Sequence, residues 1–164
     1  MDNLTEKQAN ALRVIDAEHA VLHDGRHFFA TDVSLAIALS ATVTYLLRTD
    51  GASPHFKWEV NCDGGLKVNI YESSVVSATG TTVPVYNRNR TSANTSGVLI
   101  TKGPTVTSSG TQLFTTGSTS KSGGLQVSSS EFILKPSTNY TVVLTAFSNN
   151  VNAAVLLDWY ELGY

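Results

Sequence analysis

Phe56-Lys57-Trp58-Glu59-Val60-Asn61-Cys62, then Asp63-Gly64-Gly65, then Leu66-Lys67-Val68-Asn69-Ile70, is the stretch that decides the fold. Phe56, Trp58 and Val60 alternate with Lys57, Glu59 and Asn61, and Leu66, Val68 and Ile70 alternate with Lys67 and Asn69. A period of two turns one face of an extended chain to a core and the other to water, so both runs read as half-buried strands. Read as a hairpin, the pair needs a three-residue Asp63-Gly64-Gly65 loop. A two-residue loop would set Trp58 opposite Asn69 and split the apolar sets between two faces. The expected register pairs Val60 with Val68 and Trp58 with Ile70.

The same period recurs outward from this stretch. Tyr140, Val142, Leu144 and Ala146 alternate before Ser148-Asn149-Asn150, and Val155, Leu157 and Trp159 alternate after it, which reads as a C-terminal hairpin. Val43, Tyr45 and Leu47 form another strand, and Phe132-Ile133-Leu134 a short one that stops at Pro136. His19–Leu22 and His27–Thr31 read as a hairpin turning at Asp24-Gly25, a dipeptide that readily supplies positive φ. Six or more antiparallel strands predict an all-β fold: an antiparallel β-sandwich, jelly-roll-like, over residues 18–164. Residues 73–130 are roughly two-fifths Ser and Thr but keep apolar clusters at 83–86, 98–100 and 113–114, so they read as an elaborated insertion of short strands and turns.

Residues 1–17 read as a short helical arm. Thr5 and Gln8 form a capping-box pattern, and Leu4, Leu12 and Ile15 lie along one stripe. A helix this short is marginal alone and must dock on its own domain or on a neighbour.

The 164 residues make one domain, and Cys62, the only cysteine, excludes an intrachain disulfide and a cysteine-based metal cluster. A net charge of −2 and 15% charged residues give no basic face for nucleic acid or an acidic membrane, so neither partner is expected. The acidic start Met1-Asp2-Asn3-Leu4-Thr5-Glu6 lacks the pattern of a signal peptide, which places synthesis in a cytoplasm. The apolar stretch at 33–43 is too short and too rich in Ser and Thr to span a bilayer.

The search for chemistry finds no convergent set. His19, His23 and His27 would stack on one continuous helix, but Asp24-Gly25 interrupts it, and on the hairpin reading they do not converge on a metal. No G-x-S-x-G elbow, P-loop or paired carboxylates stand out. Asp158, between Leu157 and Trp159, reads as the partner of an arginine or of a backbone N–H. The expectation is therefore no catalytic residue, no cofactor and no metal. What exceeds a plain sandwich is the last strand, apolar on both faces: Val155, Leu157 and Trp159 on one, Leu156, Tyr160 and Leu162 on the other. With Phe28 or Phe29, one of which must face away from the core, this predicts apolar surface left for a homo-oligomer.

The blocks His19–Phe29, Thr31-Asp32-Val33, Asn94-Thr95-Ser96-Gly97, Glu131–Lys135 and Leu157–Glu161 resemble small tailed-bacteriophage capsid decoration (cement) proteins encoded among head genes. The similarity runs across most of the chain in sparse blocks. It implies a β-sandwich homotrimer on the outer surface of the phage head, seated where major capsid protein subunits meet and clamping them. The family has no catalytic residues to carry over. Leu4, Leu12, Ile15, Phe28, Phe29, Leu156, Tyr160 and Leu162 are the expected capsid or subunit contacts. The competing expectation is a receptor- or glycan-binding module of a phage fibre, in which the Ser/Thr-rich loops would hydrogen-bond sugar.

Overall fold

A computed structural model describes residues 17–51, 53–119, 125–128 and 131–162. One helix, α1 (Ala17–His23), precedes fourteen strands among the described residues. They are β1 (His27–Ile37), β2 (Thr42–Thr49), β3 (Pro54–Cys62), β4 (Leu66–Glu72), β5 (Val75–Ala78), β6 (Thr81–Thr82), β7 (Tyr86–Asn87), β8 (Val98–Lys102), β9 (Thr105–Ser108), β10 (Thr111–Ser118), β11 (Leu125–Ser128), β12 (Phe132–Ile133), β13 (Asn139–Ala146) and β14 (Val151–Glu161).

Two antiparallel sheets face each other. The first runs β11-β3-β14-β1-β7, with β12 also on β3; the second runs β10-β4-β13-β2-β8-β6. β5 and β9 form a separate pair. Leaving aside the edge strands and the short β12, the strands β1, β2, β3, β4, β10, β11, β13 and β14 change sheet at every step except from β4 to β10. Two interlocked four-strand sheets connected in this way make a jelly roll, and the all-β sandwich expectation holds.

The pairing expectations do not hold. β3 and β4 are joined by an arch between sheets: Trp58 pairs with Leu157 and Val60 with Val155, whereas Ile70 pairs with Val142 and Phe114. The Tyr140–Ala146 and Val151–Glu161 segments are likewise on opposite sheets. The physical reason is common to both. Alternation states which face is apolar, and that face is buried equally well beside its neighbour or across the core from it. Trp58 and Phe114 make the second kind of contact, edge to face at 5.3 Å.

The first expected hairpin is also replaced. His19–Leu22 is helical, and Gly25, at φ 68°, ends α1 instead of turning a hairpin. Gly25 N–H donates to Leu22 O at 3.1 Å and Arg26 N–H to Val21 O at 3.1 Å, the paired bonds of a Schellman cap. Both a hairpin and a helix end call for a residue at positive φ, so Asp24-Gly25 serves either. A Cβ at Gly25 would also collide with Ser92 Oγ.

Trp58, Trp159, Tyr45, Tyr140, Phe28 and Phe56 fill the space between the sheets. Of the Ser/Thr-rich stretch, Thr111–Ser118 and Leu125–Ser128 complete the two four-strand arrays, and the excursion between β4 and β10 adds β7 to the edge of the first sheet and β8 and β6 to the edge of the second. No described helix is long and apolar enough to cross a membrane.

Candidate functional site

The outer face of the first sheet carries a polar lock. α1 packs across β14 and β1, with Val21 buried beneath it. Under the helix, His27 Nε2 donates to Asp158 Oδ1 at 3.0 Å, and Arg88 Nε donates to the same oxygen at 2.8 Å. Burial would raise the Asp158 carboxyl, but those two bonds and the charge of Arg88 outweigh it and hold the group below its ordinary 3.8. Lys57 Nζ donates to Glu18 Oε2 at 2.7 Å, which fastens the helix to β3 and raises the Lys57 pKa. Glu131 accepts from His55 Nδ1 at 2.7 Å and from the Tyr160 hydroxyl at 3.0 Å.

The loop before β8 closes the same edge. Asn87 Nδ2 donates to Gly25 O at 2.7 Å, Asn94 Nδ2 to Asp24 O at 3.1 Å, and Ser96 Oγ to Glu161 Oε1 at 2.6 Å. Parts of the blocks at 19–29, 94–97, 131–135 and 157–161, far apart in sequence, therefore meet around one end of β14. Asp158 does pair with an arginine, Arg88.

The expected contact residues divide. Phe28 is a core residue, 2% exposed and stacked on Trp159 at 6.3 Å, so it is removed from any contact surface. Phe29 takes the outward side and is half-buried by Tyr86 at 5.8 Å, with Arg88 over its ring at 5.1 Å. Leu156, Tyr160 and Leu162 are half-buried. The second face of β14 is thus partly spent within the chain, because α1 packs on it and Tyr160 stacks on His55 at 4.6 Å. Leu4, Leu12 and Ile15 lie outside the described residues.

Exposed large apolar side chains are spread over the described surface, Val75, Tyr86, Leu99, Leu113 and Ile133 among them, and four more lie toward one end of the sandwich. Val33 is 57%, Leu35 72%, Leu39 53% and Phe147 40% exposed. A bulge in the β1–β14 register between Ser34 and Ile37, with Ala36 at φ 52°, interrupts pairing at Leu35, and Asn152 Oδ1 accepts the freed Ala36 N–H at 3.0 Å. Leu39 and Phe147 line one open pocket of about 490 Å³ between the β1–β2 and β13–β14 corners. Sequence reasoning missed this end because nothing in the apolar stretch at 33–43 marks the register bulge that exposes Leu35.

Among the described residues, two groups could hold a metal. Ligand atoms of Glu18, His27 and Asp158 lie within 4.8 Å of one another, but Lys57 and Arg88 already neutralise the two carboxylates. His19 and His23, expected not to converge, are exposed on adjacent turns of α1 with their Nε2 atoms 3.1 Å apart. His27 is separated from them on β1.

No family model matches the chain, and no curated protein matches it. Among solved structures it is similar to a chain of the T13 particle of infectious bursal disease virus, at 16% identity over 84% of this chain and 39% of that one, with a TM-score of 0.22. The Gt strain of the same virus gives 15% identity, 84% and 41% coverage, and a TM-score of 0.20. The chain spans about two-fifths of the length of these neighbours, and superpositions this loose carry no argument about its role.

Proposed function

We propose that this protein is a non-enzymatic capsid decoration protein of a tailed bacteriophage, which adds to the assembled major capsid protein lattice as a homotrimer and stabilises the head. The observation that carries the reading is the apolar end formed by Val33, Leu35, Leu39 and Phe147. Exposed large side chains grouped at one end of a polar, charge-poor domain suit a surface that is covered in the working assembly. The resemblance to decoration proteins supplies the partner. The polar lock supports the same reading, since Asp158 and Glu131 are engaged in holding elements together.

Binding to the assembled lattice and not to dissociated subunits stabilises the shell by mass action, and many modest contacts on a repeating surface sum to a large resistance to rupture. The test is to heat heads with and without the protein and follow DNA release. Saturated heads should release DNA at a higher temperature than bare heads. Equal release temperatures at saturation would refute the stabilising role, and specific binding to a host glycan in their place would establish the receptor-binding alternative.

A further inference from the structure

We propose that His19 and His23 form a chelating site for one divalent transition-metal ion on the exposed face of α1. This goes beyond the capsid reading and does not depend on it. The two imidazoles stand at i and i+4, the spacing that brings side chains on adjacent helical turns together. Their Nε2 atoms are 3.1 Å apart. Two nitrogens each about 2.1 Å from a shared ion, at a bond angle near 100°, stand about 3 Å apart, so the pair already has the bite of a chelate.

Ring placement agrees. The centroids are 4.6 Å apart with the planes at 76°. Imidazoles converging on a common ion hold their centroids roughly 4.8 Å apart, whereas a straight N–H···N bond would spread them beyond about 5 Å. Both rings are exposed, so an ion reaches them without opening the fold. His27 and His55 are engaged elsewhere, through Asp158 and Glu131.

Two imidazoles leave the remaining positions of the ion to water or to a partner's group. This nitrogen donor set suits Cu²⁺, Ni²⁺ and Zn²⁺ and not Mg²⁺ or Ca²⁺. An ion joining positions 19 and 23 also staples two adjacent turns of α1 together. Metal should therefore tighten the cover that α1 provides on the first sheet.

The test uses the tag-free full chain, calorimetric titration with NiCl2 and with MgCl2, and amide exchange of residues 17–23 with and without Ni²⁺. The expected result is one Ni²⁺ per chain, slower exchange in α1 on loading, and no response to Mg²⁺. His19→Ala and His23→Ala should each weaken Ni²⁺ binding at least about tenfold, and His55→Ala should leave it unchanged. Circular dichroism on each unloaded variant confirms folding. Failure of the wild-type chain to bind millimolar Ni²⁺ would overturn the proposal, as would binding that survives in folded His19→Ala and His23→Ala.

Discussion

The two sheets are covered on their outer faces by opposite chemistry. On the first, α1 is fastened by the Glu18–Lys57 ion pair, and beneath it the Asp158 carboxylate holds β1 through His27 and the loop after β7 through Arg88. On the second, the outer face is fastened by neutral groups, and the ion pairs of the segment between β4 and β10, Arg88 with Asp158 and Lys102 with Asp32, lie on the first sheet and between the two sheets. Ser74 Oγ and Thr141 Oγ1 lie 2.9 Å apart, Thr101 Oγ1 donates to Thr79 O, and Thr115 Oγ1 donates to Asn69 Oδ1 at 2.7 Å. Leu46, flanked by Thr141 and Thr101, is completely buried there although it points away from the inter-sheet core. The difference teaches that a jelly roll with few charges can use them at one edge and let Ser and Thr seal the other. The first cover should therefore respond to pH and salt, and the second should not.

The largest effect that would sharpen this contrast is Leu46→Ala, which empties a fully buried site under the neutral cover and should cost about 2 to 5 kcal/mol in urea unfolding. A cost under about 1 kcal/mol would mean that the excursion does not seal that face.

Asp158→Ala comes next, at about 3 kcal/mol. It strands His27 and Arg88, and the cost stays at the low end for a broken buried pair because Arg88 remains one-third exposed. The pH dependence follows in sign. A carboxyl depressed in the folded state contributes stability that is complete above its ordinary value of 3.8 and is lost as pH falls through the lower folded value. Protection factors in β1 and β14 beside Asp158 should accordingly fall below that pH while those of β5 and β9 persist. Parallel loss in both places would break the comparison.

The smallest effect is Lys57→Met. Lys57 and Glu18 are each 36% exposed, so the change should cost less than about 1 kcal/mol, and molar salt should erase the difference from wild type. A cost indifferent to salt would point to packing by the lysine stem instead.

Much of this was legible in the chain, and the remainder fails for identifiable reasons. The alternation from Phe56 to Ile70 names the buried side chains correctly, since Phe56, Trp58, Val60, Leu66, Val68 and Ile70 are all in the core. It cannot name their partners, because hairpin and arch bury the same face. Gly25 was recognisable as a positive-φ residue but not as a helix cap. The polar lock was out of reach apart from the pairing of Asp158 with an arginine, as His27 and Asp158 stand 131 residues apart. Leu35 is apolar like most of the stretch around it, and only the register bulge interrupts pairing there.

The most direct test of the decoration reading is cryo-electron microscopy of expanded heads saturated with the protein. Three copies should cluster where capsid subunits meet, with Val33, Leu35, Leu39 and Phe147 facing the shell. Heads that carry no added density, or copies seated with that end toward solvent, would contradict it.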